Sequence, residues 1–184
     1  ISPYDRHGER QHSIYVGAAP EHGKAGSHAR MEREIAHVRA QYPQARFVGI
    51  ADGARSNWDF LAPHVDEQVL DFYHASEYVT QAADALFAGH PARERQGWLE
   101  SHCSMLKHDW NGAQNLLAEW DAVDTAGWER ERRRMLEDSK RYFVNHLHQM
   151  HYKRYQDMGW PIGSGVTEAA CKTLVKQRLC RSGM

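Results

Sequence analysis

The sequence predicts an α/β fold: a mixed sheet with helices packed on it and an all-helical insertion before the last helix. Three observations lead there. Two short apolar runs, "ARFVGIA" at 45–51 and "EQVLDFY" at 67–73, have strand length, and one ends on Asp52 and the other near Asp71. The segments around them repeat apolar residues at helical intervals. Residues 92 to 158 contain no proline and no strand-like alternation, but many Trp, Leu, Met and charged residues at helical spacing.

Taken in order, "ISPYDRHGERQHSIYV" offers two short extended stretches around the turn chemistry of "DRHG", which predicts a β-hairpin. "GKAGSHARMEREIAHVRAQYP" places Ala29, Ile35, Ala36 and Val38 at helical spacing and ends before Pro43. The first strand follows, then a short helix in "ARSNWDFL", then the second strand. From His74, "HASEYVTQAADALFAGHP" predicts a helix stopped by Gly89 and Pro91. In the helical block, "WERERRRMLEDSKRYF" sets Glu129 and Glu131 near Arg132 to Arg134. Such a run is a solvated helix face with i,i+4 pairs, or a phosphate-contacting surface. "MGWPIGSG" breaks the helical pattern, and a last helix starts near Val166. The expected division is 1–91 as a partial core, 92–158 as the helical insertion and 159–184 as the final core helix.

The chain has 184 residues, enough for one domain with a substantial core. Hydrophobic residues at 41% and charged residues at 26% exclude a disordered composition. A formal net charge of -1 gives no global argument for nucleic acid, so any such case rests on local charge. Cys103, Cys171 and Cys180 are an odd number without zinc-type spacing, which predicts no disulfide framework and a reducing cytoplasm. No apolar run approaches the ~20 residues of a membrane helix. The chain opens on Ile1 and closes on "RSGM", which suggests the inner piece of a longer protein.

Asp52 precedes Gly53 just beyond the carboxyl end of a strand, where open α/β sheets place ligands; the same Asp-Gly pair is also a turn signal. Asp71 is placed comparably on the next strand, with His74 three residues on. The two could orient a metal or a phosphate, or Asp71 could cap the helix that follows. Glu168 falls in the first turn of the last helix, where the helix dipole favours an acid. Beyond it Lys172, Lys176, Arg178 and Arg181 give residues 166–184 a charge of +3. A cationic helix with one carboxylate at its start suits a polyanion whose phosphate meets a metal, because phosphodiester cleavage can use Mg²⁺ held by a few acids on separate rigid elements. In "NHLHQMHY" only His148 and His151 share a helix face, with no acid or cysteine at ligand spacing; His102, Cys103 and His108 of "SHCSMLKH" make no better metal site, and the six tryptophans read as core anchors.

The segments "ADGARSNWDFL", "LDFYHASEYV" and "YFVNHLHQMHYKRYQDMGWPIGSGVTEAACKTLVKQRLCRSGM" together resemble the catalytic domain of DDE-type transposases of bacterial insertion sequences, the Kra-type group allied to the Mutator-like superfamily. "PIGSGVTEAACK" followed by "RSGM" is the most specific element. The resemblance implies an RNase H-like fold in which three acids hold two Mg²⁺ (or Mn²⁺) ions, and a bacterial, cytoplasmic protein. It implies cleavage of DNA at element ends and joining of the freed 3′-hydroxyl to target DNA, by a homo-oligomer. It assigns Asp52 as the second acid and Glu168 as the third, 116 residues apart, with Asp71 and His74 accessory; an alternative makes Asp71 the second acid. Lys172, Lys176, Arg178 and Arg181 become phosphate contacts. The family's first Asp would lie upstream of the hairpin, and Asp5 does not replace it, so the 184-residue piece is expected to be inactive alone. A catalytically inactive, transposase-derived DNA-binding or assembly protein is the alternative.

Overall fold

The computed structural model describes residues 1–5, 7–11, 13–14 and 23–165, with side chains in the first helix from residue 26 onward. Helix α1 spans Gly23–Gln41, strand β1 Val48–Ala51, helix α2 Arg55–Leu61, strand β2 Glu67–Leu70 and helix α3 Phe72–Leu86. Helices α4 (Ala92–His108), α5 (Gly112–Asp121) and α6 (Arg130–His146) follow, then a 3-10 turn at Leu147–Gln149 and the short helix α7, Tyr152–Asp157. The described part is therefore α/β and mostly helical. No helix in it is long and apolar enough to cross a membrane.

Strands β1 and β2 pair in parallel, Val48 opposite Glu67 through Ala51 opposite Leu70. Among the described residues these two strands are the sheet; the expected mixed character rests there only on an isolated antiparallel bridge, Tyr4 with Arg10. Helix α2 makes the crossover a parallel pair requires. The predicted hairpin appears in the described residues as an antiparallel bridge, Tyr4 with Arg10, closed by a turn at Asp5 to Gly8. Asp5 Oδ1 accepts from the amides of His7 (2.8 Å) and Glu9 (3.0 Å), while Gly8 takes φ +78°. The side chain adds to backbone bonds between the two stretches, from the Asp5 amide to the Glu9 carbonyl (3.0 Å), Gln11 to Pro3 (3.0 Å) and Ile14 to Ile1 (2.7 Å).

Helix α3 is the centre of the core. Ala75, Val79, Ala82 and Ala85 on it are fully buried, a helical stripe of small side chains, and they pack with Leu106, Leu116, Trp120, Leu136, Phe143, Tyr152 and Tyr155 from the helical block. Small residues let α4 and α6 approach closely, so the helical block forms a single core with α3 and β2. At the α4–α5 junction the approach is closer still. A Cβ on Gly112 would lie 2.3 Å from the Met105 carbonyl oxygen, so only glycine fits.

Helix α3 begins at Phe72, two residues before the sequence predicts, because Asp71 caps it: Oδ1 accepts from the Tyr73 amide at 2.8 Å. The charge run on α6 divides. Arg134 pairs with Asp138 at 3.5 Å, and Arg141 also meets Asp138, as a solvated face requires. Arg132 instead turns inward, its guanidinium 3.9 Å from the Trp128 ring and donating to the carbonyls of Ala85 and Leu86, where it closes the end of α3. Five of the tryptophans are core residues or pack on the core. Trp110, 63% exposed, is the exception.

Candidate functional site at the carboxyl edge of the sheet

Both strands run toward the same edge, so Asp52 and Asp71 leave it side by side. The two are tied through the backbone, since the Asp71 amide donates to the Ala51 carbonyl at 2.8 Å. Parallel pairing with Ala51 opposite Leu70 thus puts the next residue of each strand, two acids 19 residues apart in sequence, at one edge.

Their environments differ. Asp52 is exposed. Its Oδ1 accepts from the Ala54 amide at 3.0 Å and from Asn57 Nδ2 at 2.8 Å, an Asx turn that also launches α2. No hydrogen bond from another described residue reaches Oδ2. The Ala54 amide, then Asn57 and the nearby His74, hold the carboxyl below its ordinary 3.8, against a partial burial that would raise it. Asp71 is 1% exposed. Its Oδ2 accepts from the Ser164 amide at 2.7 Å and from the Ser164 hydroxyl, in addition to the Tyr73 bond to Oδ1. The Phe72 amide donates to the Ile162 carbonyl at 2.9 Å beside it. Asp71 is thereby a latch: it fixes the start of α3 to "IGSG", the segment that leads into the last predicted helix.

The helical block supplies the rest of the site. Tyr142 on α6 donates its hydroxyl to the Asp52 carbonyl at 2.9 Å and stacks on Tyr78 of α3, ring centroids 3.7 Å apart. Burial, then Tyr78, Asp52 and Glu77, push the Tyr142 hydroxyl above the ordinary range, so it stays a neutral donor. Gly53 is required here twice over. It holds φ +87°, and a Cβ on it would come within 2.7 Å of the Tyr142 hydroxyl and 3.1 Å of His146 Nε2. His146 Nδ1 meets Gln149 Oε1 at 2.8 Å, and Gln149 Nε2 donates to Gln68 of β2, which ties α6 to the sheet. On α3, His74 Nδ1 lies 3.2 Å from Glu77 Oε2.

Of the sequence-predicted residues, Asp52, Asp71 and His74 are brought to this one edge. Glu168, Lys172, Lys176, Arg178 and Arg181 lie outside the described residues. Sequence reasoning paired Gly53 with Asp52 but did not single out Tyr142, Asn57 or Ser164; of these Asn57 carried a local signal, as a short polar side chain in the turn after Asp52. Among the described residues no group of three or more His, Cys, Asp or Glu is placed to hold a metal ion. Cys103 is half-buried and burial raises its thiol, the opposite of an activated nucleophile. No family model, curated protein or solved structure matches the chain.

Proposed function

We propose that the chain is part of the catalytic core of a DDE-type transposase with an RNase H-like fold, a metal-dependent enzyme of DNA strand cleavage and strand transfer. The observation that carries this reading is the shared edge: Asp52 stands on it, and the Asp71 latch brings Ser164 to it. From Ser164 to Glu168 is four residues, a span of at most about 14 Å even when fully extended. The segment that carries Glu168 in sequence therefore follows a residue bonded to Asp71, whose strand pairs with that of Asp52.

The donor chemistry of the edge separates the two aspartates. Asp52 keeps one carboxylate oxygen without a donor from the described residues, which suits a hard divalent cation such as Mg²⁺ or Mn²⁺. Asp71 has both oxygens filled by three donors and is sealed from water, so it does not suit one. In this reading Asp52 and Glu168 hold the metal, Asp71 is a positioning residue and His74 biases the charge at Asp52. A bound pair of ions would activate the attacking hydroxyl and stabilise the leaving oxygen. Asn57 and the Ala54 amide orient the Asp52 carboxylate, and Tyr142 fixes its backbone. Lys172, Lys176, Arg178 and Arg181 would grip the phosphate backbone, and the active complex would be a homo-oligomer on element ends and target DNA.

The test is strand transfer by the full-length protein, with Mg²⁺ and a duplex carrying the DNA that flanks its gene. Asp52→Asn and Glu168→Gln each abolish transfer while gel-shift affinity for the duplex stays nearly unchanged. Transfer retained by either variant overturns the assignment. Wild-type protein that binds the duplex and transfers nothing would instead identify the inactive DNA-binding or assembly protein.

A further inference from the structure

On a different side of α3 from His74, the preceding residue Tyr73 faces a second feature. A groove of about 380 Å³ is lined by Phe72, Tyr73, Lys107, Ile162, Gly163 and Gly165. Tyr73 is 59% exposed although it sits in the first turn of the most buried helix. Its ring lies against Gly163, where a Cβ would meet Tyr73 Cε2 at 3.0 Å, so the glycine keeps one edge of the ring in place and leaves the rest open. Lys107, from the end of α4, sends its ammonium to within 5.7 Å of the Phe72 ring. No carboxylate of the described residues lies within ion-pair distance of it. The Lys107 carbonyl is held by Gln156 Nε2 at 2.6 Å, so the end of α4 is fixed relative to α7.

A preset aromatic face, a cation without a carboxylate partner among the described residues and a floor of glycine and Ile162 form a site for a flat ring joined to an anion. We propose that this groove binds one nucleotide of single-stranded DNA, the base stacked on Tyr73 and a phosphate at Lys107. Base stacking on an aromatic side chain is tolerant of sequence, and one lysine per phosphate gives the salt-dependent grip that strand-binding surfaces use. The inference rests on the DNA-processing reading above and deepens it: a strand held here runs past the first turn of α3, whose other side carries His74 beside Asp52. The aspartate edge and the groove are then two faces of one strand path, with Asp71 and Ser164 as the wall between them.

The test is fluorescence anisotropy of a fluorescein-labelled oligothymidine 20-mer with the full-length protein, across a salt series. Tyr73→Ala weakens binding by about fivefold to a hundredfold, the range of one lost base stack, and Tyr73→Phe restores it. Lys107→Ala lowers the slope of log affinity against log salt by about 0.7, one phosphate contact on a single strand, while Lys107→Arg keeps it. Tyr42→Ala, an exposed ring outside the groove, binds as wild type. Circular dichroism confirms that each variant is folded. Tyr73→Ala binding within twofold of wild type, or a salt slope unchanged in Lys107→Ala, overturns the proposal. Groove-dependent binding without strand transfer leaves this inference standing and removes the transposase reading. Asp52-dependent transfer with binding indifferent to Tyr73 does the reverse.

Discussion

Asp71 provides the sharpest test of how the two segments are joined. Its carboxylate accepts from the Tyr73 amide, the Ser164 amide and the Ser164 hydroxyl in a site 1% exposed. Hydrogen bonds to a charged group contribute roughly 1.5–3 kcal/mol net, and an N-cap about 1 kcal/mol. Asp71→Ala removes the cap and leaves two amides without acceptors, a loss of about 4 kcal/mol. Asp71→Asn keeps an oxygen for the Tyr73 amide but turns an NH₂ toward the Ser164 amide, donor against donor, for about 2–3 kcal/mol. Ser164→Ala deletes only the hydroxyl bond, about 1 kcal/mol. At roughly 2–4 °C per kcal/mol for a chain of this size, the midpoints fall in that order, by about 8–16 °C for Asp71→Ala. Urea unfolding followed by tryptophan fluorescence measures the series, with the m-value unchanged if only stability moves. An Asp71→Asn variant as stable as wild type would show that Ser164 does not depend on this carboxylate, and the latch would be wrong.

Further outcomes follow from the same geometry. Gly53→Ala costs about 1–3 kcal/mol, from the left-handed backbone and the contact with the Tyr142 hydroxyl. The cost shrinks in a Tyr142→Phe background, which a double-mutant cycle measures; additive effects would place the clash elsewhere. Tyr142→Phe alone loses about 0.5–1.5 kcal/mol with its bond to the Asp52 carbonyl, read by thermal unfolding. Asp52 titrates below its ordinary 3.8 by carboxyl NMR, and Asn57→Ala moves the midpoint up; no movement would remove Asn57 as a cause. Because this pKa is depressed in the folded state, Asp52 contributes stability above the unfolded value. That contribution is lost as pH falls through the folded one. Gly112→Ala destabilises the α4–α5 junction by at least ~2 kcal/mol, since its Cβ would meet backbone rather than a movable side chain; a neutral result would refute the close approach.

Local chemistry made much of the edge legible in advance. Strand-length apolar runs placed Asp52 and Asp71 at strand ends, and the Asp-Gly pair marked the turn. The absence of proline from residues 92 to 158 marked the helical block. The same local signals misplaced the start of α3, because a cap is a bond between a side chain and an amide two residues on, and periodicity counts only from the first apolar stripe. They also put Trp110 in the core: hydrophobicity marks a residue as able to be buried, while neighbours decide whether it is.

The chain's order of residues determined which segments would be helix or strand and which acids would stand at strand ends, since those depend on contacts a few residues apart. Tertiary structure alone decided that Asp71 spends its carboxylate on Ser164, 93 residues away, while Asp52 keeps an oxygen without a donor among the described residues and has its carbonyl held by Tyr142, 90 residues away. Both aspartates look alike in sequence, and what separates them is which distant donors the fold packs against each one.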